Sequence, residues 1–313
     1  VRRLHNILSI IIALLALTWV GTRIDLVETW RTIRQSNFGW YLVGLAAFYT
    51  SLPLRAWRWR MLLAGLGLRV PIGALSGVIF RAWTVNCAVP GRAGDLYSSY
   101  LLRSERGLDM ASTMGTILSA RVLDLLTLIV LVALVFHLKF QQDLPAVFGT
   151  LVNSALGLGF VVVVGFLLLS KLGVITNKLF PRRASLAYAR FAASALSSIK
   201  NIPVLLLVTL ALWFLEAFRL WCVLAAVGAP RPLAQITFLA LSAAVLTTLP
   251  ITPGGLGTVE ALYQKFLPYT GISTSAAAGA AILDRTINYW FILAAGGIYL
   301  LAARWRHRRE NES

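Results

Sequence analysis

Charge and reactive side chains are scarce in this chain. Of its 313 residues only 13% are charged, 12 of them acidic, and there are just 2 cysteines, 3 histidines and 3 methionines. Cys87 and Cys222 stand alone in apolar runs with no CxxC spacing, which excludes a disulfide framework and a cysteine metal site. His5, His137 and His307 are scattered near the ends of apolar runs, so no metal centre is expected and no cofactor is implied. The nucleotide-binding pattern GxxxxGK(S/T) does not occur, which removes ATP as a direct energy source. The deficit of acids leaves a formal charge of +17, but no basic module stands apart from the apolar sequence, so nucleic acid is not an expected partner. Even the least apolar interval, Lys171 to Asn201, is only about 30 residues, below ordinary domain size.

What remains is hydrophobic. At 58% apolar residues the chain falls in the integral membrane class. Runs long enough to cross the hydrocarbon occur at Leu4 to Val20, Gly39 to Leu63, Ser112 to Leu138, Leu151 to Ser170, Pro203 to Val227 and Ser275 to Ala303. Two further apolar stretches, Gly73 to Leu102 and Leu233 to Pro268, are broken near their middles by Pro-Gly motifs and leave arms too short for a full crossing. The expected fold is therefore an all-α integral membrane protein with six full spans and two re-entrant helical hairpins. Val1-Arg2-Arg3 and the apolar run after it read as an uncleaved signal anchor. Arg304, Arg306, Arg308 and Arg309 mark the C-terminal side as cytoplasmic. Both termini then lie on the cytoplasmic side of a cytoplasmic membrane, and most basic residues fall on that side.

With this topology the two hairpins enter from opposite faces. Residues 1–313 form a single polytopic domain, with one repeat at about 39–138, an inverted second repeat at about 203–303, and a linker carrying a surface helix over 171–201. Arg58 to Gly67 (RWRMLLAGLG) aligns with Arg219 to Gly228 (RLWCVLAAVG), each closing a span. In the linker, Tyr188, Phe191, Ala195 and Ile199 are spaced to form one helical face, suited to the anionic leaflet or to a solvated connection.

The broken stretches carry the candidate site. The first contains Pro90, Gly91, Arg92, Gly94 and Asp95 and is followed by Arg121 and Asp124; the second contains Pro253, Gly254, Gly255, Gly257 and Glu260 and is followed by Asp284 and Arg285. Ionisable groups at membrane depth cost several kcal/mol on the order of 3 or more and mark a wet cavity with paired charges. Arg81, Arg92, Arg121, Arg219 and Arg285 stand against Asp95, Asp124, Glu216, Glu260 and Asp284. The i,i+3 spacing expects Arg121 to pair with Asp124 and Glu216 with Arg219. Asp284 and Arg285 are adjacent and point apart, so each is expected to find its partner on another element, the facing half being the candidate. The turns would present backbone N–H groups to an anion, with Asp95 and Glu260 left for a cationic part. The same charges also fit ion pairs that merely lock the hairpins, and the same glycines fit close helix packing.

These motifs, with Arg55-Ala-Trp-Arg-Trp-Arg60 before them and Asn288-Tyr289-Trp290 after them, resemble the lysylphosphatidylglycerol synthase transmembrane family, also called flippase-like domain proteins. The resemblance covers nearly the whole chain. It implies translocation of a lipid rather than lysyl transfer, because no soluble aminoacyl-transferase domain appears in the sequence. The expected function is a flippase for a phospholipid or other headgroup-bearing lipid, anionic or zwitterionic. Two alternatives stand beside it: an integral membrane enzyme acting on a lipid or lipid-linked sugar, and a membrane partner of a separate lipid-synthesising enzyme.

Overall fold

The computed structural model describes residues 15, 18–19, 21–22, 25–89, 92–139, 146–169, 171–173, 176, 181–248, 252–299 and 302. Nearly all of the expected first span, the turn residues Pro90 and Gly91, and the C-terminal arginines lie outside them. Among the described residues every regular element is helical. They are α1 (Leu26–Arg34), α2 (Phe38–Gly65), α3 (Ile72–Ala88), α4 (Ala93–Arg106), α5 (Met110–Lys139), α6 (Ala146–Leu167), α7 (Arg182–Ser197), α8 (Ile202–Ala226), α9 (Leu233–Thr248), α10 (Thr258–Phe266) and α11 (Thr274–Arg285). A π-helical turn, Thr286–Trp290, continues α11 into a further helical segment over 291–299.

Length and composition alone make α5, at 30 residues, and α8, at 25, able to cross a bilayer. Helix α2 is long enough at 28 residues but contains Arg55, Arg58 and Arg60. The broken stretches form helix pairs, α3 with α4 and α9 with α10, whose members are shorter.

Helices α2 and α8 form the axis of the molecule and run antiparallel. Asn37, whose side chain caps α2 by accepting from the Trp40 N–H, gives its own N–H to the Ala226 carbonyl at the far end of α8, 2.8 Å away. At the other end a Cβ on Gly65 would lie 2.6 Å from the Ser198 carbonyl, just before α8 begins, so only glycine permits that approach. The two helices also stop in the same way. Gly67 at φ 79° and Gly228 at φ 73° turn left-handed, and the next N–H reaches back to a carbonyl inside the helix, Leu68 to Leu63 at 3.0 Å and Ala229 to Leu224 at 2.9 Å.

Apolar packing holds the rest against this axis. One cluster joins Leu220, Val223 and Leu224 of α8 to Leu239 of α9, Phe266 of α10 and Ala277 of α11; a second joins Leu62 and Leu63 of α2 to Leu75 of α3 and Leu102 of α4. Helix α7 departs from expectation. Its Tyr188, Phe191, Ala195 and Ile199 face, read as suited to a leaflet, is turned toward protein. Tyr188 donates to the Leu169 carbonyl at 2.7 Å, Ala195 is fully buried and accepts from Ser119 of α5 at 2.7 Å, and a Cβ on Gly115 would lie 2.5 Å from the Phe191 carbonyl. Backbone approach at Gly115 draws α7 onto α5, and its arginines occupy the outer side.

Candidate functional site

Two breaks between helices set the site, the described residues of the first resuming at Arg92. In the first, Arg92 takes a left-handed conformation at φ 54°, and Gly94 sits where a Cβ would be 2.1 Å from the Ala82 carbonyl. The Gly94 N–H is taken by the Asn86 side chain at 2.8 Å and that of Asp95 by the Arg92 carbonyl at 3.1 Å. In the second, Pro253–Gly255 forms one 3-10 turn, with φ of 55° at Gly254, 73° at Gly255 and 82° at Gly257. Here too the Gly255 and Leu256 N–H groups are taken, by the Thr252 and Pro253 carbonyls. These four N–H groups are thus spent inside the turns, and the second turn also offers carbonyls: Arg285 donates to Gly254 O at 3.1 Å and Gly255 O at 2.7 Å.

The charges are wired alike in both halves of the chain. On the first side Arg58 of α2 holds Asp124 of α5 through both oxygens, at 2.5 and 2.8 Å, and Arg121 of α5 holds Asp95 of α4 at 2.6 and 3.0 Å. On the second, Arg219 of α8 holds Asp284 of α11 at 2.5 Å, and Arg285 of α11 holds Glu260 of α10 at 2.7 Å. Each half thus ties its long helix to its last helix, and its last helix to the helix after the turn. Between the halves Glu216 is shared, with Arg55 at 2.8 Å on one oxygen and Arg219 at 3.1 Å on the other. Arg55 and Glu216 stand at matched positions before Gly67 and Gly228. The contacts around them also match: Arg58 reaches across to Thr209 at 2.9 Å, and Arg219 lies 5.4 Å from the centre of the Phe48 ring.

Several expected pairings are corrected by this wiring. Arg121 pairs with Asp95, not with Asp124, because Arg58 occupies both oxygens of Asp124. Asp284 and Arg285 find their partners within their own half, Arg219 and Glu260, rather than in the facing one. Glu216 with Arg219 is the i,i+3 pair that forms. Arg81 pairs with Glu105 on α4, outside the cluster. Asp95 and Glu260 are not free for a cation, since Arg121 and Arg285 occupy their oxygens. Two members of the cluster are not among the residues the sequence singles out as intramembrane charges: Arg55, and Arg58, which is 4% exposed. Its alignment with Arg219 was the signal that could have placed it.

These groups surround a cavity of about 210 Å³. Arg55, Arg92, Arg121, Arg219 and Arg285 line it with Asp124, Glu216 and Asp284, beside apolar Phe48, Ala240 and Ala243. A smaller lobe of about 70 Å³ between Trp59, Trp83, Asp95 and Arg121 adjoins it. Both turns reach the wall. Cys87, at the end of α3, accepts from the Tyr289 hydroxyl at 2.9 Å, and the Tyr289 ring packs on Gly254. The π turn sets this register, placing Asn288 to donate to Asp284 at 3.0 Å and Thr286 within 2.8 Å of the Tyr41 hydroxyl.

An all-helical chain of this apolarity, with a polar chamber walled by buried ion pairs, has the build of a polytopic membrane protein. The chain belongs to the family described as the lysylphosphatidylglycerol synthase TM region, whose model matches residues 6–296. It is 28% identical over 219 residues to a UPF0104 membrane protein of Methanocaldococcus jannaschii, covering 68% of this chain and 92% of that one. It is 26% identical to glycosyltransferase AglD of Haloferax volcanii, over 94% of this chain but only 54% of that protein. A UPF0104 membrane protein of Methanothermobacter thermautotrophicus is 24% identical over 84% of this chain and 85% of its own length.

Proposed function

We propose that this protein moves a headgroup-bearing lipid across the cytoplasmic membrane, the headgroup passing through the charged chamber while the acyl chains stay in the bilayer. The long helices α2 and α8, with the turn-bearing pairs α3–α4 and α9–α10 as re-entrant hairpins, make two halves inverted across the midplane, within a topology of six crossings and cytoplasmic termini. The observation that carries this reading is the matched wiring of two halves around one cavity, with Arg55 and Glu216 bonded where α2 meets α8. Two inverted halves can exchange shapes, and the exchange presents one chamber to each leaflet in turn. An asymmetry between the two sides supports this. The Arg121 and Asp95 side chains are 32% and 18% exposed, against 6% and 9% for the corresponding Arg285 and Glu260. The chamber in this state opens toward the first turn and is closed at the second, where Arg285 clasps the Gly254 and Gly255 carbonyls.

Reconstitution into vesicles with a fluorescent lipid tests the proposal. The parent protein is expected to bring inner-leaflet lipid to the outer leaflet faster than empty vesicles do. Arg285→Ala and Arg121→Ala are each expected to slow this at least tenfold, and transport at the parental rate by both would remove the chamber from the pathway. The relative named a glycosyltransferase favours one second reading, in which the chamber serves chemistry on a sugar-carrying lipid. Mass spectrometry of the same vesicles separates the two: unchanged lipid on the far leaflet means translocation, and a new lipid product means catalysis.

A further inference from the structure

One side chain touches the elements on both sides of the chamber. Tyr289, 6% exposed, stands on the π turn that follows α11. Its hydroxyl donates to the Cys87 carbonyl at 2.9 Å, in the last turn of α3, where carbonyls have no N–H of their own helix to accept from. Its ring lies 2.8 Å from where a Cβ on Gly254 would stand, so the second turn closes on it only because that residue is glycine. Arg285, which holds the Gly254 and Gly255 carbonyls, has its guanidinium carbon 5.9 Å from the centre of the same ring. At Tyr289, therefore, the end of α3, the second turn and the cation of the second side all meet.

The contact continues back along α3. Thr84 packs so closely on Gly296 that a Cβ there would run into its hydroxyl, and Arg81 stands 5.9 Å from the centre of the Tyr299 ring. Helix α3 is thus strapped to the segment after the π turn at Arg81, Thr84 and Cys87. The second side can open only if the second turn leaves the end of α3, and Tyr289 then loses either its hydrogen bond or its seat on Gly254. On the first side the matching place, four residues after Arg121 as Tyr289 is four after Arg285, holds Leu125, which has no hydroxyl to give. An exchange of shapes between the halves is therefore unequal, because this bond is made only while the second side is closed.

Resting on the lipid-transport reading, we propose that Tyr289 is the latch of the second side: it holds the chamber shut there and sets which face of the membrane the empty chamber opens to. It is a positioning residue, acting through the second turn and the end of α3.

The two native cysteines report on such a latch. Cys87 lines the chamber, whereas Cys222 of α8 is fully buried and measures unfolding. An impermeant maleimide applied to intact cells and to inside-out membrane vesicles reaches the chamber from each face in turn. The parent is expected to react at Cys87 from one face only. Tyr289→Phe keeps the ring and deletes the hydroxyl, and it is expected to react from the opposite face about fivefold faster than the parent, the worth of one hydrogen bond, with Cys222 unreactive. Gly254→Ala, which pushes the ring off the second turn, is expected to gain at the same face. Equal reaction of the parent from both faces, no gain at the opposite face in Tyr289→Phe, or a matching gain at Cys222 would each overturn the latch. Lipid movement in vesicles is measured separately. Movement by the parent without the gain at Cys87 removes the latch alone, and the gain without movement removes the transport reading alone.

Discussion

At the scale of single residues, Arg58 and Asp124 show how much depends on one pair. Both are under a tenth exposed, and the guanidinium meets both carboxylate oxygens. Removing one partner strands a buried charge, which costs about 3–5 kcal/mol, whereas replacing both with apolar residues is close to neutral. Arg58→Leu or Asp124→Leu is therefore expected to lower the melting temperature sharply, and the double substitution to recover most of the loss. Were the double variant as unstable as the singles, the pair would be contributing more than mutual neutralisation. The sequence made the acids of this cluster visible, because a carboxylate inside an apolar run has few innocent explanations. It concealed Arg55 and Arg58, because arginines near a span end are common for topological reasons. Spacing misled as well: Arg121 and Asp124 share a helical face, but Arg58 competes for that carboxylate and wins with two hydrogen bonds.

Helix boundaries and turns were easier to read than pairings. The Pro-Gly motifs do break the apolar stretches where expected, as the interval from α9 to α10 shows. Less legible was what those breaks present to the cavity, because the direction of a carbonyl depends on the glycine dihedrals, which composition does not reveal. Gly94 gives a sharp test at this scale. A methyl group there would sit 2.1 Å from the Ala82 carbonyl, so Gly94→Ala is expected to push α4 away from α3 and abolish lipid movement even if the chain still inserts. Parental transport by that variant would mean the two helices need not approach. The start of α5 offers a gentler one. Asp109 accepts from the Ser112 N–H and hydroxyl, both at 2.8 Å, and from Arg190 of α7 at 2.9 Å. Burial raises its pKa, but the Ser112 hydrogen bonds and Arg190 outweigh that and hold the carboxyl below its ordinary value. Its contribution is thus complete above the ordinary carboxylate range and fades as pH falls through the lowered value. Asp109→Ala is expected to cost about 1 kcal/mol through the lost cap. Asp109→Asn should cost less, since the exposed Arg190 pair contributes little, and melting curves of the two variants would separate the effects.

For the whole molecule the decisive relation is between α2 and α8. Their antiparallel contact has matched ends and matched neighbours, and the aligned segments RWRMLLAGLG and RLWCVLAAVG supply the matched residues. If the Arg55–Glu216 pair couples the two halves, reversing it should preserve the coupling. Arg55→Glu and Glu216→Arg are each expected to stop lipid movement, and the double exchange to restore a substantial part of it. Failure of the exchange would assign the geometry of this contact, including the second oxygen of Glu216 on Arg219, a larger part than its charge.

The placement of Arg55 opposite Glu216 also bears on ancestry. If the two halves descend from one unit, a side chain on the axis relating them meets its own copy, so a dimer of identical half-length chains would set arginine against arginine or glutamate against glutamate at the chamber wall. Only after fusion into one gene can the two positions diverge to opposite sign. The bond at the centre of this chain is thus one that no homodimeric forerunner of it was able to make.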